Sequence, residues 1–527
     1  MTLLNSKRFF STGFLVLFLI LAGSPVYPAE KVYDIGSLGA VGDGVTDNTG
    51  VIQNAINACA RTGGQVYFPK GTYLSGTLVL KSNVTLFISE GATLLGSTVI
   101  GKYPHLDGGI HFYGEKWAQQ SLIFARNAEN ISIEGSGTID GQGGSFKITT
   151  NRKPDRYRNR PYLLWFVNCR GLGIRDVHLR NSAFWMQHYL GCEDVHIDHV
   201  RIWNHSNKNN DMMDLDGCRN VTVSNVIGDS DDDGLTLKST SPLVSEYITI
   251  TNCILSSHCN AIKFGTESTG GFRNVVISNC IIRPSAEKKT IYGRPAGNSG
   301  VSLEMADGGI LENVTISNLV IEGPQVPLFI RLGNRARKYK QDVKEPGVGR
   351  IRNIRISNIV ATGADGTGCS ITGLPGFPVA DISLSHIFIE SKGGGTPEDQ
   401  YRQVPEKEKA YPEATMFGKL PAYGFYIRHA RNIRLSDVTL RYRSKEQRPG
   451  IVVSGTDGFS LSGLDLQSDS LSNSAVYVNH SQDGFISNSS HHWPAKFFLQ
   501  EDTLSGQIDV VNCVAGKAGK LIGKDEQ

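Results

Sequence analysis

The sequence lacks a charge imbalance. Its 527 residues carry 53 Lys and Arg against 50 Asp and Glu, a formal net charge of +3. That near-balance excludes a protein holding nucleic acid or anionic lipid through bulk charge. Zinc or redox spacing is missing too: nine Cys occur (59, 169, 192, 218, 253, 259, 280, 369 and 513), with no CxxC pair. The odd number leaves at least one thiol unpaired, and most are expected as buried small hydrophobes. The apolar run Phe14–Ala22 is too short for a typical membrane span. It follows Lys7 and Arg8 and ends near Ala29, so residues 1–29 read as a cleavable export signal. Leu21-Ala22-Gly23 is followed by Ser24, not the Cys of a lipoprotein box. A soluble secreted or periplasmic protein is expected, with no membrane partner.

What the sequence has in excess is Gly, 59 residues, with 39% hydrophobic residues. That combination suits many turns between many short strands. One pattern recurs: a polar residue, apolar-x-apolar, a polar pair, then apolar again. Examples are Asp194-Val-His-Ile-Asp-His-Val200, Asn220-Val-Thr-Val-Ser-Asn-Val226, Tyr247-Ile-Thr-Ile-Thr-Asn-Cys253 and Asn274-Val-Val-Ile-Ser-Asn-Cys280. It returns at Asn313, Asn353, Asp381 and Asn432. The first apolar positions Val195, Val221, Ile248 and Val275 lie 26, 27 and 27 residues apart.

Alternation with period two means strands, and a repeat in the twenties means stacked coils, each too small to bury its apolar face alone. The fold expected is all-β: a right-handed parallel β-helix. Cys253 and Cys280 hold equivalent places in successive repeats, which points to a core stack. The leucine-rich solenoid is excluded by the absence of its Leu/Asn consensus. Val51–Ala60 is the one clear amphipathic helix, capped by Asp47 or Thr49, and is expected to close the open end of the solenoid. Residues 30–527 read as a single domain. Residues 393–424 interrupt the repeat as a long surface loop.

Three neighbouring coils concentrate polar and acidic residues: Asn209–Asp216, Asp231–Lys238 and His258–Thr266. Aligning the inward pairs Met213/Leu215, Leu235/Leu237, Ile262/Phe264 and Val301/Leu303 sets the register. Asp211, Asp233 and Asn260 then share one column, with Asp232 beside it. Asp214, Thr236, Lys263 and Ser302 share an outward column. Crowded carboxylates repel and keep one protonated near neutrality, the equipment of a glycoside hydrolase. Acids that only fill turns, or three Asp binding calcium, remain alternatives on the residues alone.

The ordered set Gly42-Asp-Gly-Val-Thr-Asp-Asn48, Gly137-Thr-Ile-Asp-Gly-Gln-Gly143, Arg160-Pro161, Asn181–His188 and Gly191-Cys-Glu193 resembles glycoside hydrolase family 28, the polygalacturonase family. The resemblance spans nearly the whole mature chain. It implies that Asn209-Asn210-Asp211 and Asp232-Asp233 are two of the family's motifs. Asp232 would be the general acid, and Asp211 and Asp233 would activate the attacking water, with inversion. It implies no cofactor and no metal. The partner would be a pectic polysaccharide or oligosaccharide, bound by a monomer.

Two family motifs depart. Asn260 stands at the family's His position, with His258 two residues earlier. Ser302-Leu303-Glu304 replaces the Arg-Ile-Lys that grips a galacturonate carboxylate. A rhamnogalacturonan-type backbone therefore stands beside polygalacturonan as the expected substrate. Asn209, His258, Asn260, Lys263, Arg331 and Arg335 are the expected substrate-binding residues. Lys263 either supplies the missing cation or pairs with Asp214. Arg337 could also rim the cleft, and the aromatics of Tyr411–Pro421 could stack on a sugar. The competing functions are a β-helix polysaccharide lyase, with Lys263 near the site as a basic group, and a non-catalytic carbohydrate-binding β-helix.

Overall fold

The computed structural model describes residues 31–153 and 155–525. The export signal expected over residues 1–29 lies outside them. Every strand-to-strand ladder is parallel, and pairing runs from Val32–Asp34 through to Ala518–Lys524. The chain winds as a right-handed parallel β-helix. One wall stacks Tyr162–Val167, Gln187–Leu190, Met213–Asp216, Leu235–Ser239, Asn260–Ser268, Ser299–Met305 and Val326–Leu332. A second stacks Arg170–Arg175, Glu193–Asp198, Arg219–Ser224 and Ser245–Thr251 onto Phe272–Ile282. The third wall is short at first (Ile227–Ser230, Ile254–Ser257). From Phe272 onward it fuses with the second as single bent strands.

The recurring polar residues are the corners between these walls. Both polar positions of the repeat take left-handed backbone: φ is 55° at Asn220, 57° at Asn274 and Asn313, and 55° at Asn353, and then 56° at Asn225 and Asn279 and 57° at Asn318. Asn adopts this conformation at lower cost than other side chains because its short amide bonds locally. The amides also stack. Asn318 Nδ2 donates to Asn279 Oδ1 at 3.1 Å, and Asn358 Nδ2 to Asn318 Oδ1 at 3.0 Å. Inward residues between corners form one continuous apolar core.

Eight of the nine cysteines are buried, and Cys513 is half-buried. The helix runs Thr49–Cys59, buries Ile52, Ala55, Ile56 and Cys59, and packs on the first strands. Asn48 takes the N-cap position without a capping side-chain bond, while Asp47 accepts the Thr49 amide at 3.0 Å. The 393–424 segment is not merely a surface loop. Val404, Leu420 and Ala422 pack on Tyr426, Val452 and Tyr477, outside the main core. Arg448, itself fully buried, donates to the Leu420 and Ala422 carbonyls and pairs with Glu446 at 2.7 Å.

The corner account makes a prediction. Asn318→Val and Asn318→Gly both remove the amide ladder, but only Val forces a branched side chain into left-handed backbone. Val should lie about 1–2 kcal/mol below Gly in urea unfolding. Equal stabilities would contradict the account.

Candidate active site

The register expected from the inward pairs is the one observed. Met213 pairs with Leu235, Leu235 with Ile262, and Ile262 with Val301, while Asp214, Thr236, Lys263 and Ser302 follow one another outward. Asp211 and Asp233 sit two residues before Met213 and Leu235, on adjacent coils. Both line a cavity of ≈ 230 Å³, together with Asp232, Asn209, Lys153 and Arg156. Asp232 is half-buried, and Asp211 and Asp233 are 3% and 5% exposed.

The carboxyls are held in different charge states. Burial, followed by the neighbouring Asp233 carboxylate, pushes Asp232 up to about 6. Its carboxyl meets the Asn209 amide at 3.5 Å and accepts the Asp233 backbone amide at 3.0 Å. Burial alone would also raise Asp233. Lys263, Lys238 and the Asn260 amide outweigh it and hold Asp233 below the usual carboxylate range. Asn260 Nδ2 donates to Asp233 Oδ1 at 2.7 Å, and Lys263 Nζ to Oδ2 at 2.9 Å. Burial, Asp214 and Asp232 push Asp211 up, although Lys238 Nζ lies 3.4 Å away. Burial carries Asp214 up to about 8 beside the same lysine, at 3.3 Å. A protonated carboxyl on Asp232 beside an ionised one on Asp233 can donate and accept protons in one step.

Several expected substrate contacts lie elsewhere. His258 is fully buried. Its Nδ1 meets Asp231 and its Nε2 the Glu287 carbonyl, each at 2.9 Å, so both nitrogens face protein acceptors and neither faces the cavity. Asn260 is buried and positions Asp233, with its own carbonyl oxygen accepting Ser299 Oγ at 2.6 Å. Lys263 does not pair with Asp214. That partner belongs to Lys238, while Lys263 binds Asp233, Glu304 (3.6 Å) and Tyr411 Oη (3.2 Å). Arg331 is buried on the Gly373 and Glu406 carbonyls, at 3.0 and 2.6 Å. Arg335 and Arg337 are spent on Asp307 and Glu267. None of these four cations lines the cavity.

Asp231 accepts the Ile291 and Tyr292 amides at 2.7 and 3.0 Å, so the three consecutive carboxylates do not converge on one point. Among the described residues His205, Asp231 and His258 bring metal-type donors close together. The His258 nitrogens there are already engaged, and His205 Nε2 meets Asp229 at 2.9 Å.

Lys238 was legible but unread: it lies two residues past Thr236, on the same outward parity, and pairs across the ladder with Asp216. Lys153, Arg156, Tyr292, Tyr411 and Glu413 also line the cavity. They stand on loops, where no period announces them; of these only Tyr411 was expected near a sugar, as one of the aromatics of Tyr411–Pro421. Burial pushes Glu413 up to about 7.

A family model described as glycosyl hydrolases family 28 matches residues 60–410. A probable polygalacturonase of Vitis vinifera is 26% identical over 376 residues, covering 67% of this chain and 72% of the relative. An exo-poly-α-D-galacturonosidase of Dickeya chrysanthemi is 26% identical over 420 residues, covering 69% and 68%. The structure of an exopolygalacturonase from Thermotoga maritima superposes with a TM-score of 0.60 at 21% identity, over 78% of this chain and 92% of that one. At that identity it speaks to the fold.

The Lys263 contacts predict the behaviour of Lys263→Met. Removing one partner of a buried pair should cost about 3–5 kcal/mol of stability. Asp233 loses the cation that depresses it, so the acid-side loss of glycosidase activity should move to higher pH. Substrate affinity of the folded protein should stay near wild type. A large affinity loss with unchanged thermal stability would contradict this placement.

Proposed function

The chain belongs to glycosyl hydrolases family 28, and from that premise we propose that it hydrolyses an α-galacturonosyl linkage of a pectic polysaccharide by single displacement with inversion. The observation that carries the reading is the pairing of Asp232, poised near neutrality and open to the cavity, with Asp233 held ionised on the same turn. Asp232 gives its proton to the glycosidic oxygen as the carbon–oxygen bond breaks. A water attacks the anomeric carbon from the opposite face, and Asp233 takes the proton that the water loses. Asp211 lines the same cavity and orients that water.

The relatives support a pectic substrate: the two described above are named for polygalacturonate or its degradation. An end-of-chain substrate is supported by the Dickeya relative, which is named as exo-acting. The export signal expected over residues 1–29 fits a polymer substrate met outside the cytoplasm. β-Elimination loses Lys263 as its base. Burial would lower that amine, but Asp233 and Glu304 hold it well above the ordinary lysine range.

Activity needs Asp232 protonated and Asp233 ionised. kcat/KM should therefore fall as pH rises through about 6. On the acid side it should persist until pH drops below the usual carboxylate range. Asp232→Asn should fold and lose at least ~10²–10⁴ in kcat. Proton NMR of the first product from polygalacturonate or a rhamnogalacturonan backbone should show the anomer opposite to the linkage cleaved. Retention, or a variant keeping more than about a tenth of the wild-type rate, would overturn the reading.

A further inference from the structure

The cations around the cavity are nearly all neutralised. Lys238 is shared among Asp211, Asp214 and Glu267. Lys263 is held by Asp233 and Glu304, and Arg335 and Arg337 by Asp307 and Glu267. Arg160 spends its guanidinium on the Arg156 and Lys208 carbonyls and on Asn209. Two basic side chains that line the cavity remain. Lys153 and Arg156 form no ion pair among the described residues.

Both are placed to receive an anion. The Arg156 guanidinium lies 5.6 Å from the centre of the Tyr292 ring, and its Nε is screened from solvent without a hydrogen-bond partner. Lys153 Nζ lies 5.3 Å from the centre of the Tyr411 ring, and its charge bears on Asp232. The backbone at Arg156 is held in place, since Arg160 Nε donates to the Arg156 carbonyl at 2.9 Å and the neighbouring Tyr157 ring packs 5.0 Å from Phe184. The strand register where the family resemblance led cations to be expected holds Ser302 and Glu304 instead, both fully buried and bonded to each other at 2.6 Å.

We propose that Lys153 and Arg156, on a loop that lines the cavity, form the subsite that grips the carboxylate of a uronic acid residue in the substrate. This rests on the uronate reading above. Arg offers a planar pair of donors to both carboxylate oxygens, and Lys adds a mobile point charge.

The test is steady-state kinetics on oligogalacturonides and on rhamnogalacturonan oligosaccharides, over a range of salt, for Lys153→Met, Arg156→Gln, Arg156→Lys and the double Met/Gln variant. On whichever oligosaccharide the wild type cleaves, Arg156→Gln and Lys153→Met should each raise KM about ten- to a hundredfold. kcat should stay within a few-fold and the melting temperature should hold. The double variant should lose most of the salt dependence of KM, and Arg156→Lys should recover part of it. KM or its salt dependence unchanged in the double variant overturns the subsite, as does a fall in kcat and melting temperature without a rise in KM. A wild type that cleaves neither oligosaccharide overturns the uronate reading instead, and the subsite with it.

Discussion

In-register parallel stacking is the constraint on which the rest depends. Successive coils lie one strand spacing apart, about 4.8 Å, so residues 22 apart in sequence, such as Asp211 and Asp233, share one neighbourhood. Acids stacked this closely repel unless cations are built into the same ladder. Lys238 and Lys263 are those cations, each inserted on an outward position of the coil that follows or carries an acid. They do not divide their charge evenly. Asp233 receives two lysines and an amide, while Asp232 lies beside the ladder and receives no direct ion pair. The asymmetry between donor and acceptor is thus a product of register.

The corners make that register possible. Left-handed Asn residues bend the chain at equivalent points of successive coils, and their stacked amides lock each turn to its neighbours. A wall held at both edges presents its side chains with little freedom. The cavity's other side is built differently, from segments carrying Lys153, Arg156, Tyr292, Tyr411 and Glu413. Strands therefore anchor the acidic residues that immediately precede them, and loops supply the rest of the cavity wall.

The fold and the acidic column were legible in the sequence because both are periodic. Inward pairs such as Met213/Leu215 and Leu235/Leu237 fix which residues become neighbours. What resisted reading has no period. Nothing in the sequence says that Tyr411 returns, 148 residues on, to meet Lys263. Nor does it say that His258 turns its ring to Asp231, since strand parity places a Cα and not an imidazole. Arg331 and Arg335 lie away from the cavity for a related reason: Arg331, within a strand, and Arg335, just after it, meet acceptors on neighbouring segments instead. Lys238 is the opposite case: its outward parity is periodic, but its ion pairs with Asp211, Asp214 and Glu267 depend on side-chain reach that parity does not encode.

The central claim is that Asp232 carries a proton at a pH where Asp233 does not. A carbon-13 NMR titration of labelled aspartate carboxyls tests it most directly, with each signal assigned by its loss in Asp232→Asn or Asp233→Asn. The account predicts that the Asp232 carboxyl titrates near 6, with Asp233 ionised throughout and protonating only below the usual carboxylate range. An Asp232 signal already fully ionised at about pH 4, or an Asp233 signal that titrates above it, would contradict the account.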